Sequence, residues 1–299
     1  MCYPARSGDE VMAKTALIIL NYNDADTTES LIRLVKDYSA LDHIVVVDNQ
    51  STNDSYERLK KHASDKIDVL LAEANKGYAT GNNFGAFYAL EHYAPDYLLI
   101  ANPDVEFSEK VVERLVETLE RYEKGAVAAP IVNQGYNIWS LPDYWGIIEA
   151  MFLVWFNLDK RNQKKRLIAK GGVQPVGVVE GSFFCVKADV FRQIGGLDER
   201  TFLYCEENIL AKKVDDIGMQ VLALADERYD HFHSRSIRKH YRSKAKAFHN
   251  FYPSFELYLK EYLHIGPVAH GFYRFCFGLA YLERILYDVV MKLKEMFVK

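Results

Sequence analysis

Asp104 stands just past an apolar run. Tyr97-Leu-Leu-Ile100 reads as a buried strand, and Ala101-Asn-Pro-Asp104-Val carries one carboxylate beyond its carboxyl end. In an open α/β sheet that end is where ligands bind. Two further acids, Glu206 and Glu207, open a helical pattern that runs to Ile217. The helix dipole favours a carboxylate in the first turn, which explains either residue on structural grounds. Adjacent carboxylates also raise one another's proton affinity, a property that suits a general base. His231 and His233 flank Phe232. They could ligate a metal, but no Cys or third His stands at a zinc-like spacing. Arg235 and Arg238 carry planar donor forks suited to diphosphate oxygens.

Three polar clusters close strand-like runs. Asn21 and Asp26 follow Thr15 to Leu20, Asp48 and Asn49 follow His43 to Val47, and Asn102 and Asp104 follow the run from Tyr97. Asn and Asp bond their own backbone in turns, which accounts for any one cluster. Three in register along one edge of a parallel sheet point to a ligand site. The stretch from Asn75 through Gly77, Gly81 and Asn83 to Gly85 opens a helix. Its glycines allow close approach to a ligand or close packing of helix on sheet. Its free amides could face a phosphate or ribose. It is not the dinucleotide fingerprint, which follows a first strand.

The elements that must position these residues alternate. Strand patterns at 15–20, 43–47, 67–71, 97–100 and 127–129 are separated by helical ones. Asp26 is the expected cap of the first helix and Ser108 that of a helix over 108–122. Such alternation predicts a mostly parallel sheet covered on both faces. Gly181 to Cys185 and Val221 to Ala225 read as later strands, with a helix over 187–193 between them. The 299 residues suffice for one large domain with a helical appendage. The composition, 49% hydrophobic and 26% charged, excludes a largely disordered chain. A net charge of −4 makes no general case for nucleic-acid binding. Cys2, Cys185, Cys205 and Cys276 lack metal-type spacing and are read as reduced thiols of a cytoplasmic protein. No run reaches the roughly 18 apolar residues of a membrane span. Residues 1–11 lack the apolar core of a secretory signal and read as a disordered extension.

ILNYN (19–23), VVVDNQSTNDS (45–55), NKGYATGNNFG (75–85) and NPDV (102–105) come in an order and spacing that resemble the family 2 glycosyltransferases, which have the GT-A fold. VEGSFFCVKADVFRQIGGLDE (179–199), LYCEEN (203–208) and HFHSRS (231–236) extend the likeness over residues 14–250. Within the family the chain is most similar to the bacterial rhamnosyltransferase-type branch. The resemblance implies a Rossmann-like α/β GT-A domain over 12–250, followed by a C-terminal helical region over 251–299. It implies a nucleotide-sugar donor, dTDP- or UDP-linked. Asp48 would accept a hydrogen bond from the base, with Asn21 and its neighbours lining the same pocket. Asn75, Gly77, Gly81 and Asn83 would lie beside base and ribose. Asp104 would bind Mn²⁺ or Mg²⁺ between the phosphates, a role such oxygen-seeking ions support. The family pattern often has a second Asp where this chain has Asn102, which can bond a phosphate or a metal-bound water. His231 matches a family His that contacts metal or diphosphate. Glu207 occupies the place of the general base, usually an Asp preceded by Glu, with Glu206 as the fallback. The expected reaction is inverting transfer of rhamnose or a hexose to a cell-surface or lipid-linked glycan. Two alternatives remain: a non-catalytic subunit acting through its C-terminal helix, and a sugar nucleotidyltransferase. The latter normally has a glycine-rich basic loop after the first strand, which Leu20 to Asp24 lacks.

Six basic residues fall between Arg235 and Lys246, and a second run lies at Lys160 to Lys170. Each is a solvated face or a surface for anionic phospholipid or lipid diphosphate, at the inner face of the plasma membrane. In the tail, Phe272, Phe275, Leu279, Leu282, Leu286 and Val289 alternate steps of three and four, a pattern that continues to Met296. The stripe has three readings: packing on its own domain, a homodimer seam, or a membrane-interface helix.

Overall fold

The computed structural model describes residues 13–153, 164–232 and 244–297. The expected extension at 1–11, and with it Cys2, lies outside the described residues, as do His233, Arg235 and Arg238.

Four strands form the parallel half of the sheet: β1 (Thr15–Asn21), β2 (His43–Asp48), β3 (Ile67–Leu71) and β4 (Tyr97–Ala101), in the order β3-β2-β1-β4. Their apolar runs are near-continuous because both faces are covered. On one face, Ala16 and Ile18 of β1 pack against α3 (Tyr78–His92) through Ala79, Ala86 and Ala89. On the other, Leu17 and Ile19 meet α1 (Ala25–Val35) and α4 (Glu109–Arg121) through Ile32, Val35, Val112 and Leu115. Burying each such aliphatic side chain contributes about 1.5–3 kcal/mol.

Two expected caps differ. α1 begins one residue before Asp26, behind Asp24, whose Oδ1 accepts from Thr27 Oγ1 at 2.9 Å. Asp26 instead pairs with Arg58 of α2 (Ser55–Leu59) at 2.6 Å. Ser108 precedes α4 as expected, but its side chain makes no capping bond.

Beyond β4 the sheet is mixed. β5 (Val105–Glu106), β6 (Gly125–Val132), β7 (Ile138–Trp139), β8 (Val173–Val176), β9 (Val178–Val179), β10 (Phe183–Lys187) and β11 (Gln220–His231) follow in sequence. β10 runs antiparallel between β4 and β6. β11 lies parallel to β6, with an irregularity between Leu224 and Arg228. That break carries the strand on, so that His231 pairs with Val105 of β5.

The C-terminal helix spans Pro267–Phe297. Tyr273, Cys276, Phe277 and Ala280 pack with Ile147, Met151 and Ile209 into a third core. The heptad stripe faces elsewhere: Phe275 is 62% exposed and Leu286 66%. Packing of that stripe on its own domain is therefore corrected; the opposite face packs, because Tyr273, Phe277 and Ala280 make it apolar as well. In the second basic run, Lys164 caps a loop, donating to the Val132 and Gly135 carbonyls at 2.6 and 3.0 Å.

Candidate active site

Asp104 is half-buried after β4, and its backbone carbonyl accepts from the Phe232 amide at 2.9 Å. The β5–β11 pairing thus brings His231 alongside. His231 Nε2 lies 3.2 Å from Asp104 Oδ1, and its Nδ1 lies 3.6 Å from Glu180 Oε2. Burial alone would lower the imidazole pKa, but the Asp104 and Glu180 carboxylates outweigh it and push it up to about 9. Without a metal the two carboxylates therefore favour the protonated imidazole, and a cation bound at Nε2 would displace that proton.

Glu180 belongs to a short loop that serves several groups at once. Ser182 Oγ donates to Glu180 Oε2 at 3.1 Å and meets Tyr229 Oη at 2.8 Å. The Ser182 carbonyl accepts from the Asn102 amide at 2.8 Å. Between them, the Gly181 amide donates to Glu207 Oε1 at 3.2 Å, and the Gly181 carbonyl accepts from Tyr78 Oη at 2.5 Å. Residues 180–182 therefore link Glu207 on one side to the His231–Asp104 pair on the other. Glu180, Ser182, Tyr78 and Tyr229 had no assigned role in the sequence reading. The VEGS segment was part of the resemblance, but only the structure gives its residues contacts.

Glu206 and Glu207 open the helix Glu206–Asp216. Tyr204 and Cys205, immediately before, both have left-handed backbone, φ 75° and 72°. Such angles cost non-glycine residues about 1–3 kcal/mol and cluster at functional sites. Tyr204 stacks on Phe251 at 3.8 Å, and Cys205 is buried in the third core, so packing holds the turn. Glu207 is half-buried, whereas Glu206 is 3% exposed with Oε1 lacking a hydrogen-bond partner among the described residues. Burial, aided by the neighbouring Glu207 charge, pushes Glu206 well above the usual carboxylate range.

At the other end of the strand edge, Asn21 Nδ2 donates to Asp48 Oδ2 at 2.7 Å, and Asp48 Oδ1 accepts from the Ser51 amide at 2.7 Å. Both residues are fully buried and bonded to each other, so their side chains brace the strand ends and, against expectation, do not line an open pocket. Asn49 Nδ2 donates to Asn75 Oδ1 at 3.0 Å, while its Oδ1 is buried with no partner among the described residues. The glycine-rich loop corrects several expectations. Gly77 has φ 101°, and a Cβ there would lie 2.2 Å from the Phe202 carbonyl oxygen. Its amide donates to Asn75 and that of Tyr78 to Phe202, so neither is free for a phosphate. Gly81 abuts Leu20 and Gly85 abuts Val47, which is helix-to-sheet packing. Asn83 is buried and bonded to Leu197 and Glu199, tying α3 to the 196–199 turn. Gly81 and Asn83 thus hold the scaffold and do not line an open pocket.

The residues near Asp104 suit a divalent cation in one way only. Among the described residues, no group of three or more His, Cys, Asp or Glu side chains could hold a metal by itself. Asp104 and His231, with Asn102 beside them, offer an incomplete shell. Mg²⁺ and Mn²⁺ fit such a shell, since they commonly take one or two protein ligands and complete their coordination with phosphate and water oxygens.

The family profile described as "Glycosyl transferase family 2" matches residues 16–195. Among similar proteins is the low-salt glycan biosynthesis hexosyltransferase Agl10 of Haloferax volcanii, 27% identical over 194 residues, covering 64% of this chain and 58% of that protein. Another is the N-acetylglucosaminyl-diphospho-decaprenol L-rhamnosyltransferase of Mycobacterium tuberculosis, 27% identical over 191 residues, covering 58% and 61%. The chain therefore spans about three-fifths of the length of these relatives. Two solved structures share the fold. GalNAc-T7 with UDP, GalNAc and Mn²⁺ has a TM-score of 0.60 at 15% identity, covering 95% of this chain and 58% of that one. The mannosyltransferase PcManGT of Pyrobaculum calidifontis, with GDP-Man and Mn²⁺, has a TM-score of 0.56 at 13% identity, covering 93% and 75%. The fold is GT-A, with an added C-terminal helix. With the profile matching more than half of its length, the chain belongs to glycosyltransferase family 2.

Proposed function

We propose that this protein transfers rhamnose or a hexose from a dTDP- or UDP-linked donor to a hydroxyl of a cell-surface or lipid-linked glycan, with inversion. The observation that carries the reading is the 180–182 loop, which joins Glu207 to the His231–Asp104 pair. The nucleotide would lie over the β1 and β2 ends, along the backbone from Leu20 to Asn23 that the buried Asn21–Asp48 pair braces. Asp104 and His231 would hold Mn²⁺ or Mg²⁺, with Asn102 bonding a phosphate or a bound water. Such an ion supplies charge compensation to the departing diphosphate. Arg235 and Arg238 are assigned to the diphosphate by sequence alone.

In the transfer, the acceptor oxygen forms its bond to the anomeric carbon as the bond to the nucleoside diphosphate breaks. Glu207 takes the hydroxyl proton, and the bonding pair leaves with the diphosphate. The Gly181 amide donates to Glu207 Oε1, which holds the carboxylate against the 180–182 loop. The names of the two relatives, a hexosyltransferase and a rhamnosyltransferase acting on a lipid-linked diphosphate sugar, support the substrate class.

The test is nucleoside diphosphate release from dTDP-rhamnose and UDP-hexoses, supplied with a polyprenyl-diphosphate-linked sugar. Wild-type protein should turn over at least one donor, and Glu207→Gln should be slower by about 10²–10⁴-fold with donor binding retained. Turnover unaffected by Glu207→Gln would remove the base assignment. Donor binding without turnover by the wild type on any acceptor would favour a non-catalytic subunit.

A further inference from the structure

We propose that the outer face of the C-terminal helix, continued by Trp145, seats this protein in the interface of an anionic membrane. No described helix is long and apolar enough to cross a bilayer. The helix Pro267–Phe297 has the opposite geometry: one face packs on the domain and the other is open. Phe275, Leu279, Leu282, Leu286 and Val289 are between 45% and 66% exposed. Trp145, 60% exposed, stands against Phe272 with ring centroids 6.1 Å apart, so the apolar strip continues onto α5 (Tyr144–Ala150). Along residues 268–291, at 1.5 Å rise each, the strip runs about 35 Å.

Where the charges lie decides between a lipid surface and a second copy. From 267 to 291 the ionised side chains are Arg274, Glu283, Arg284 and Asp288. Three of them turn inward. Glu283 accepts from the Leu153 amide, Asp288 accepts from the Ala245 amide, and Arg284 lies over the Phe248 ring at 3.7 Å. A paired coiled-coil seam is narrow and is usually flanked by charges that set register. Beside this stripe stand Gly271, Gly278, Ile285 and Val290, which widen the apolar face without framing it. A broad uncharged face with an aromatic at one end suits the headgroup–acyl boundary.

Charge complementarity names the lipid. No acidic residue occurs between Asp230 and Glu256, whereas four Arg and Lys besides the two arginines assigned to the diphosphate fall between 239 and 246. That run leads into the helix Lys244–His249, which packs along the tail helix through the stacked Phe248 and Phe277 rings, 4.6 Å apart. The basic sequence therefore leads into a helix that braces the tail helix on the face opposite the exposed stripe. Each Lys or Arg near an anionic surface adds about 1 kcal/mol of attraction.

The test floats the full chain with vesicles of phosphatidylcholine alone, or with phosphatidylglycerol added, and measures oligomeric state by light scattering. Anionic vesicles should capture at least about tenfold more protein than neutral ones. Leu282→Glu with Leu286→Glu should abolish capture without changing the melting temperature, since both side chains are exposed. Failure to bind anionic vesicles would overturn the proposal. A stable dimer that the same double variant splits into monomers would also overturn it, assigning the face to a second copy. Nucleoside diphosphate binding by the double variant should be unchanged, so failure here and failure of the transfer reading are read separately.

Discussion

Glu206 and Glu207 are neighbours in sequence with different surroundings. Glu206 is buried and holds its proton at neutral pH, while Glu207 is half-exposed and anchored to Gly181. Glu206→Gln should therefore keep turnover within about threefold of wild type, against the loss of about 10²-fold or more expected for Glu207→Gln. The sign for stability follows from the raised pKa. As pH rises from the ordinary carboxyl value toward the folded one, the unfolded chain ionises first, and wild type loses stability that the amide does not. The melting-temperature advantage of Glu206→Gln should grow between pH 5 and pH 8; an advantage that shrinks would contradict the buried, protonated assignment. At this scale the acids and His231 were legible in sequence, because their types and order carried the family likeness. Glu180 was not: nothing in a lone Glu before Gly-Ser shows that it will flank an imidazole from a strand fifty residues away.

The glycine-rich loop and β11 position the site. Gly77 combines a glycine-only backbone with a close approach to Phe202, two residues before the left-handed pair that leads to Glu206. Gly77→Ala should destabilise the fold by about 3 kcal/mol or more, read by denaturant unfolding, and should lower turnover by displacing the Phe202–Glu207 turn. Full stability in this variant would contradict the packing role. The parallel half-sheet was legible because each of its strands is a compact apolar run. β11 was expected only over Val221 to Ala225, since Asp226, Glu227 and Arg228 interrupt the apolar pattern. The structure carries the strand through that interruption by a register shift, and the continuation delivers His231.

Over the whole molecule, the tail is bound to the catalytic half by a shared core and by a polar clasp. Asp198 accepts from Arg200 and, at 2.6 Å, from Tyr262 Oη of the C-terminal region. Burial would raise its pKa, but those bonds hold it down at about 2, against an ordinary 3.8. A depressed carboxyl stabilises the fold above its unfolded pKa, and that contribution fades as pH falls from about 4 to 2. Asp198→Asn should cost about 2 kcal/mol at neutral pH, and its deficit relative to wild type should narrow on acidification. The same core predicts unequal neighbours on the tail helix. Phe277→Ala should cost about 3–5 kcal/mol, and Phe275→Ala no more than about 0.5 kcal/mol, as measured by thermal unfolding. Equal costs would mean that the stripe packs inward after all. The sequence showed the stripe but not its partner, because both faces of the helix are apolar and periodicity alone does not choose between them.

The most direct measurement of the central claim is calorimetric titration of UDP and dTDP, each with and without Mn²⁺, into wild-type protein and Asp104→Ala. Saturable binding of at least one nucleotide, strengthened by Mn²⁺ in the wild type and indifferent to Mn²⁺ in Asp104→Ala, is the predicted result. Binding of neither nucleotide, or a Mn²⁺ effect that survives loss of Asp104, would contradict a donor site built on Asp104 and His231.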